Sequence, residues 1–147
     1  MRIGLVSDTH NLLRPEVVEY LRGSDHILHA GDICGEAVLQ ALAELAPLTA
    51  VRGNNDRGEW AQAIPETVTL QLGGVPVHMV HDLKQLVLPA GTRVVISGHS
   101  HKPLVSARAG VLYVNPGSAG PRRFKLPISA GELRIEGGEV RATLVQF

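Results

Sequence analysis

Residues 94–101 read Val-Val-Ile-Ser-Gly-His-Ser-His, an apolar strand pattern that runs directly into two histidines. Residues 3–10, Ile-Gly-Leu-Val-Ser-Asp-Thr-His, repeat the arrangement near the start of the chain. Because extended chain repeats every two residues, we expect each strand end to present both members of its pair on one side. Imidazole is the commonest metal-binding side chain. The two stretches therefore predict one metal site, assembled at strand ends from distant parts of the sequence.

The segments around these stretches predict an α/β protein with one domain, residues 1–147. The first third alternates strand and helix patterns, which implies parallel strands joined by right-handed crossovers. From residue 67 onward, alternating apolar strands are separated by glycine-containing turns, which is typical of hairpins. Two mixed sheets with helices outside them are expected. The predicted strands are 2–7, 26–30, 48–52, 67–72, 75–80, 93–97, 104–107, 111–115, 128–135 and 140–147, and the helices are 15–22 and 35–46, with one helical turn within 84–88.

Composition limits the classes of partner and compartment. Lys plus Arg equals Asp plus Glu, 14 against 14, so no long-range attraction to nucleic acid or membranes is expected. The single cysteine, Cys34, excludes an intramolecular disulfide and fits a reducing compartment. Neither a signal-peptide pattern nor an apolar run of membrane-spanning length is present. We therefore expect a cytoplasmic protein that does not bind membranes.

Residues of metal-ligand type recur where predicted strands end. Their mixture of oxygen and nitrogen donors suits Mn²⁺, Fe, Zn²⁺ or Ni²⁺, whereas an all-oxygen set would favour Mg²⁺ or Ca²⁺. The set is larger than one ion needs and fits two ions that share a carboxylate, an arrangement that stabilises the attacking and leaving oxygens of a phosphoryl centre. The candidate ligands are Asp8, His10, Asp32, Asn54, His81, His99 and His101.

Taken in order, these blocks resemble the calcineurin-like metallophosphoesterases. That family shows D-x-H, G-D, G-N-H/C-D, a lone His and G-H-x-H, all of which have counterparts between residues 8 and 101. Residues 115–118, Asn-Pro-Gly-Ser, with Pro-Arg at 121–122, are similar to the small YfcE-type phosphodiesterase branch. The resemblance implies a four-layer α/β/β/α sandwich, in which two mixed sheets carry helices on their outer faces.

The resemblance also implies a role for each matched residue. One metal ion would be held by Asp8, His10 and His101, the other by Asn54, His81 and His99, and Asp32 would bridge them. A metal-bridging hydroxide would be the nucleophile. The expected cofactor is a pair of divalent transition-metal ions, Mn²⁺ first, with Fe, Ni or Zn as alternatives. The predicted catalytic residues are Asn55, Asp32 and His101, and the predicted substrate-binding residues are Asn11, Asn55 and Arg122.

Two departures from the family pattern bear on catalysis. Many relatives carry His where this chain has Asn55, and an amide can bind a phosphate oxygen but cannot act as an acid. The small branch commonly has Cys there. The segment 84–92 is short and contains Pro89, where relatives usually place a fuller helix, so the rim of the site is expected to be open on that side.

The sequence therefore predicts a metal-dependent phosphodiesterase that acts on a small phosphate ester. Phosphomonoesterase and pyrophosphohydrolase activity on the same site are alternatives, and so is a non-catalytic scaffold like the retromer subunit of similar fold. Nucleic acid is disfavoured as a substrate because no basic stripe with interleaved aromatic residues is apparent. Exposed strand edges make a homo-oligomer an open expectation. Among the other polar residues, His29 is expected to support Asp32, and Asp56 to turn the loop after Gly53.

Overall fold

Ten strands, three α-helices and one 3₁₀ turn follow one another in the computed structural model, which describes all residues 1–147. The strands are β1 (Arg2–Val6), β2 (His26–His29), β3 (Leu48–Ala50), β4 (Thr67–Leu72), β5 (Val75–Val80), β6 (Val94–Ile96), β7 (Leu104–Arg108), β8 (Val111–Asn115), β9 (Ser129–Glu136) and β10 (Glu139–Gln146). The helices are α1 (Pro15–Leu21), α2 (Glu36–Ala43) and α3 (Glu59–Gln62), and the 3₁₀ turn is Leu83–Gln85.

The strands form two mixed five-stranded sheets, which confirms the predicted fold class. The first sheet has the order β10-β9-β1-β2-β3, with β1, β2 and β3 parallel and β9 and β10 antiparallel. The second has the order β4-β5-β6-β8-β7, with β5, β6 and β8 parallel and the two edge strands antiparallel. The final hairpin thus returns to pair with the first strand.

Apolar side chains on the facing sides of the two sheets form the central core. Leu5, Leu28, Met79 and Ile96 belong to it, and each is fully buried. A second cluster fills the space between the first sheet and α1 and α2, where Val17 and the other inward residues of the helices meet β1 and β2. Aliphatic residues therefore build nearly all of the interior, and the site lies at the ends of the strands that enclose it.

Helices cover the two sheets unequally. Both longer helices pack on the first sheet, whereas the outer face of the second is covered by a small cluster that includes Leu86 and Tyr113. The short helix α3 was not predicted. It is a single turn, so its sequence shows no helical periodicity. None of the helices has the length and apolar character needed to span a bilayer.

Most predicted boundaries differ from the observed ones by a few residues. Helix α2 ends at Ala43, three residues earlier than expected. Strand β3 ends at Ala50, two residues earlier than expected, although the Val51 N–H still donates to the His29 carbonyl. Pro47 follows α2 closely, and the residue before a proline disfavours helix.

Candidate metal centre

The predicted ligands occupy the loops that follow five strands. Three of these strands, β1, β2 and β3, are neighbours in the first sheet. The other two, β5 and β6, are neighbours in the second. Because the carboxyl ends of these strands meet at one edge of the sandwich, the loops converge. Asp8 and His10 follow β1, Asp32 follows β2, Asn54 follows β3, His81 follows β5, and His99 and His101 follow β6.

Two groups of ligating atoms lie close enough together to hold a metal ion. The first contains Asp8, His10 and His101, and the second contains Asp8, Asp32 and His81, with all ligand atoms of each group within 4.8 Å of one another. The Oδ2 atom of Asp32 lies 3.6 Å from His10 Nε2 and 3.4 Å from His81 Nε2. One carboxylate oxygen of Asp32 therefore stands between an imidazole of the first group and one of the second.

Three of these atoms are buried without a hydrogen-bond partner: Asp8 Oδ1, His10 Nε2 and His81 Nε2. The contacts of His81 show why unpartnered atoms here indicate a cation site. Its Nδ1 lies 2.7 Å from the carbonyl oxygen of Ala30, which only accepts, so Nδ1 carries the proton. In the neutral ring, the Nε2 lone pair then faces Asp32 Oδ2 at 3.4 Å and Asp8 Oδ1 at 3.9 Å. Lone pairs facing carboxylates repel one another, and a cation between them removes the repulsion.

The backbone at the candidate ligands is unusually strained. Asp8, His10, Asp32, His99 and His101 all have positive φ, between 45° and 71°. Residues other than glycine rarely adopt this left-handed region, and when they do they cluster at functional sites. The expectation that His99 and His101 end an extended strand on one side is therefore wrong, because β6 stops at Ile96 and the turn sends the two rings apart.

The two histidines of that turn reach different parts of the site. His101 is buried, with Nε2 3.4 Å from Asp8 Oδ1, and its ring lies 5.3 Å from the ring of His10. The ring of His99 lies 5.2 Å from that of His81 instead. His99 Nδ1 is 3.1 Å from Asn54 Oδ1 at the exposed rim. The histidines of Gly98–His101 thus belong to opposite sides of the centre.

The outer side of the centre opens into a cavity of about 160 Å³ between the two sheets. Asn54, His81 and His99 line it, together with Asp82. Asp82 was not among the predicted site residues. Its Oδ2 lies 3.8 Å from His99 Nε2, while its Oδ1 accepts the backbone N–H of Lys84 and begins the 3₁₀ turn. Its place directly after His81 was the only signal in the sequence.

A buried carboxylate holds two of the ligand loops together. Asp56 accepts four backbone N–H groups, from Asp32, Ile33, Cys34 and Gly53, at 2.8–3.0 Å. The expected turn-forming role is thus part of a larger one, since Asp56 also fixes the loop that carries Asp32. The two loops pack closely at Gly53, where a Cβ would overlap Asp32 Oδ1 and the backbone nitrogen of Asp32.

His29 supports the same region from within the sheet. Its Nδ1 accepts the backbone N–H of Gly31 at 3.1 Å, so its Nε2 carries the proton and donates to Thr9 Oγ1 at 3.0 Å. The Thr9 hydroxyl donates in turn to the carbonyl oxygen of Ile33. Complete burial lowers the pKa of His29 to about 3, so the ring is neutral. This chain of hydrogen bonds ties the loop after β1 to the loop after β2.

Cys34 lies beside the first group of ligands. Its Sγ is 3.6 Å from His10 Nδ1 and 3.7 Å from the carbonyl oxygen of Asn55. Burial and the nearby carboxylates of Asp56 and Asp32 raise the pKa of the thiol to about 12. The side chain is therefore a neutral thiol that donates to the carbonyl of Asn55 and receives the Nδ1–H of His10.

The carboxylates at the centre differ in proton affinity. Burial raises the pKa of Asp8 to about 6, and the nearby imidazole of His81 and the Ser7 hydroxyl only partly offset it. Burial also acts on Asp32, but the adjacent imidazole of His81 and the two hydrogen bonds from Asn55 outweigh it and hold the pKa of that carboxyl well below its usual range. Asp32 is therefore ionised at every physiological pH.

The three predicted substrate-binding residues differ in their contacts with the centre. Asn55 donates from its backbone N–H to Asp32 Oδ1 and from its amide to Asp32 Oδ2, both at 2.9 Å. Asn11 is exposed at the loop after His10. Arg122 is exposed and donates to the carbonyl oxygen of Leu126.

Arg123, the neighbour of Arg122, contributes to the lowered pKa values of two histidines of the centre. Burial lowers the pKa of His101 to about 4, and the positive charge of Arg123 is the next largest cause. Arg123 also contributes to the lowered pKa of His10, after burial.

Comparisons with known proteins agree with this geometry. Residues 1–138 match the model of the calcineurin-like phosphoesterase superfamily domain. A probable metallophosphoesterase of Methanothermobacter thermautotrophicus is 34% identical, over 99% of this chain and 92% of that protein. An archaeal phosphodiesterase structure superposes with a TM-score of 0.81 at 25% identity, covering 99% of this chain and 100% of the other. Vps29 of Chaetomium thermophilum superposes with a TM-score of 0.80 at 18% identity, covering 100% and 97%.

Proposed function

Because the chain belongs to the calcineurin-like phosphoesterase superfamily, whose members are metal-dependent phosphoesterases, we propose that it hydrolyses small phosphodiesters at a centre of two metal ions. The observation that carries this proposal is the group of unpartnered atoms, Asp8 Oδ1, His10 Nε2 and His81 Nε2. Leaving a buried polar atom without a partner costs about 1–3 kcal/mol. Such atoms occur in both groups of candidate ligands, and a cation bound in each group would satisfy them.

The donor set fits two transition-metal ions. We assign Asp8, His10 and His101 to one ion, Asn54, His81 and His99 to the other, and Asp32 to both. When bound, two such ions lower the pKa of water and stabilise charge on the oxygens of a phosphoryl group. Mn²⁺ is the first candidate, with Fe, Ni and Zn as alternatives, because imidazole and carboxylate ligands suit all of them.

The chain's own residues orient this centre and its substrate. Asn55 and Asp56 fix the carboxylate of Asp32 and its loop, and the carbonyl of Ala30 fixes the tautomer of His81. Arg123 supplies positive charge on the side of His10 and His101, where an anionic phosphate would be attracted. Asn55 cannot donate a proton to a leaving group, so esters with good leaving groups should react fastest.

Two observations favour an enzyme over a non-catalytic scaffold. All seven positions that the family pattern assigns to metal ligands carry residues able to bind a metal ion. Strained backbone concentrates at these residues. The likeness to Vps29 fits the scaffold alternative only weakly, since at 18% identity it shows a shared fold. Preference for diesters over monoesters or pyrophosphates rests on the similarity to the archaeal phosphodiesterase.

The test measures metal content and ester hydrolysis together. Purified protein is loaded with Mn²⁺, dialysed and assayed for bound metal, then given bis(4-nitrophenyl) phosphate and 4-nitrophenyl phosphate. We expect two ions per chain and faster cleavage of the diester. Asp32→Asn should abolish both the binding of two ions and the cleavage. Asp25→Asn, which removes an exposed carboxylate outside the centre, should change neither. Cleavage of neither ester by the loaded protein would refute the enzyme, and unchanged activity in Asp32→Asn would refute the shared ligand.

A further inference from the structure

An aromatic side chain stands in solvent on the loop that carries Arg123. Phe124 is 93% exposed, the most exposed of the large apolar side chains. Its φ is +53°, a left-handed conformation that is costly for a bulky residue. The loop is nevertheless closed on itself, with the Leu126 N–H donating to the Arg123 carbonyl and Arg122 to the Leu126 carbonyl. The fold gains no burial from this ring, which suggests a role outside folding.

Phe124 borders a depression of about 630 Å³ whose other walls are Lys102, Lys125 and Leu126. The exposed surface of this depression is almost entirely apolar, although two of its four lining residues are lysines. A flat apolar floor with cations around it matches the shape and charge of an aromatic group that carries phosphate.

The depression borders the chain segment that carries His101. Lys102 directly follows the ligand His101 in the chain, and Arg123 directly precedes Phe124. The chain just before the loop packs against the loop of Asp8, because Ser118 Oγ donates to the Asp8 carbonyl and Gly120 lies against the Thr9 carbonyl. A phosphate held at the centre would therefore have the loop 121–126 beside it, with Phe124 next along the surface.

We propose that Phe124 is the stacking platform for the base of a nucleoside phosphodiester, with Lys102, Arg123 and Lys125 around its phosphate. This inference rests on the proposed function and specifies its substrate class. The residue determines specificity through contact with the part of the substrate that does not react. A single exposed ring and three cations suit one nucleotide, and the rest of the surface offers no continuing aromatic row for a long strand.

The test compares two phosphates that differ only in the base. Adenosine 5′-monophosphate and ribose 5-phosphate are titrated into the Mn²⁺-loaded protein by calorimetry. We expect the nucleotide to bind more tightly to the wild type, by about 5- to 100-fold, which is the usual contribution of one stacked base. Phe124→Ala should reduce nucleotide affinity to that of ribose 5-phosphate and leave ribose 5-phosphate unchanged. Phe124→Trp should preserve the preference, and Val87→Ala, another exposed apolar side chain, should have no effect.

The outcomes separate this inference from the proposed function. Equal affinity of the wild type for the two ligands, or equal losses for both in Phe124→Ala, would overturn the platform even if phosphodiesters are hydrolysed. A base preference that depends on Phe124, in a protein that cleaves neither nitrophenyl ester, would support the platform and refute the hydrolase.

Discussion

The Nδ1 atom of His81 donates a hydrogen bond to the carbonyl oxygen of Ala30 across 2.7 Å, and this contact joins the two sheets at the site. Ala30 follows β2 in the first sheet, and His81 follows β5 in the second. The bond directs His81 Nε2 toward Asp8 and Asp32. A partner on the second nitrogen is the usual way that proteins orient an imidazole toward a metal ion.

His81→Gln should remove one of the two ions and leave the other. The amide cannot replace a ring held by Ala30, whereas Asp8, His10 and His101 remain in place for the first ion. The measurement is metal per chain after dialysis. His78→Gln is the matched control, since His78 lies on the strand that His81 follows and contacts Thr69 on the other face. Loss of an ion in the control, or two ions in His81→Gln, would contradict the assignment.

Asp56→Asn should destabilise the protein by about 2–5 kcal/mol, because an amide has one acceptor oxygen for the four backbone N–H groups that this carboxylate receives. Urea unfolding of the metal-free protein measures this change. Asp25→Asn tests the specificity, since Asp25 accepts one exposed backbone N–H, from Arg2, and should cost less than about 1 kcal/mol. Equal losses of stability in the two variants would show that the four Asp56 contacts stabilise the fold no more than the single Asp25 contact.

His29 should make the metal-free protein sensitive to acid. Burial lowers its pKa from 6.5 to about 3, so between these values the unfolded chain binds a proton that the folded chain does not. Stability therefore falls as pH decreases from about 6.5 toward 3. Between pH 7.5 and 4.5, His29→Gln should lose about 2–3 kcal/mol less than wild type, because glutamine does not titrate. Urea midpoints at both pH values test this, and parallel losses would contradict it.

Cys34 should orient His10 through Nδ1 without reacting itself. Cys34→Val keeps a similar volume but removes the sulfur that receives the ring N–H, so affinity for the ion should fall by about 10-fold or more. Cys34→Ser restores a polar acceptor and should recover most of it. Calorimetric titration of the metal-free variants with Mn²⁺ compares them. Equal Mn²⁺ affinity in wild type and Cys34→Val would show that His10 is oriented by packing alone, without the Cys34 contact.

The sequence predicted those features that follow from local pattern. Alternation and glycine turns predicted the hairpins, and the order of strand-end residues predicted which loops converge. The motif blocks could also identify His99 and His101 as belonging to different sides. No sequence rule, however, predicts that the residues at the ends of β1, β2 and β6 adopt left-handed backbone, because that conformation is imposed by the packing of the loops.

Contacts between loops were the part that local pattern could not predict. Asp56 has the sequence of an ordinary turn residue, yet it reaches across to the loop of Asp32. The approach of Asp82 to His99 depends on side-chain directions in irregular segments. Such directions follow from tertiary packing, which fixes a loop only after the sheets have brought its ends together.

Asn55→His should increase turnover most for esters with poor leaving groups. The asparagine amide stabilises Asp32 but supplies no proton, so the wild type depends on leaving groups that depart as stable anions. A histidine here adds an acid, which typically accelerates proton-requiring steps by about 10²–10⁴-fold. Turnover of an alkyl and a 4-nitrophenyl diester should therefore change unequally, with the alkyl ester gaining more. Asn55→Ala is the control, because it removes the amide without adding an acid. If Asn55→His increases both rates alike, or decreases both as Asn55→Ala does, the position does not face the leaving group and its contribution is limited to holding Asp32.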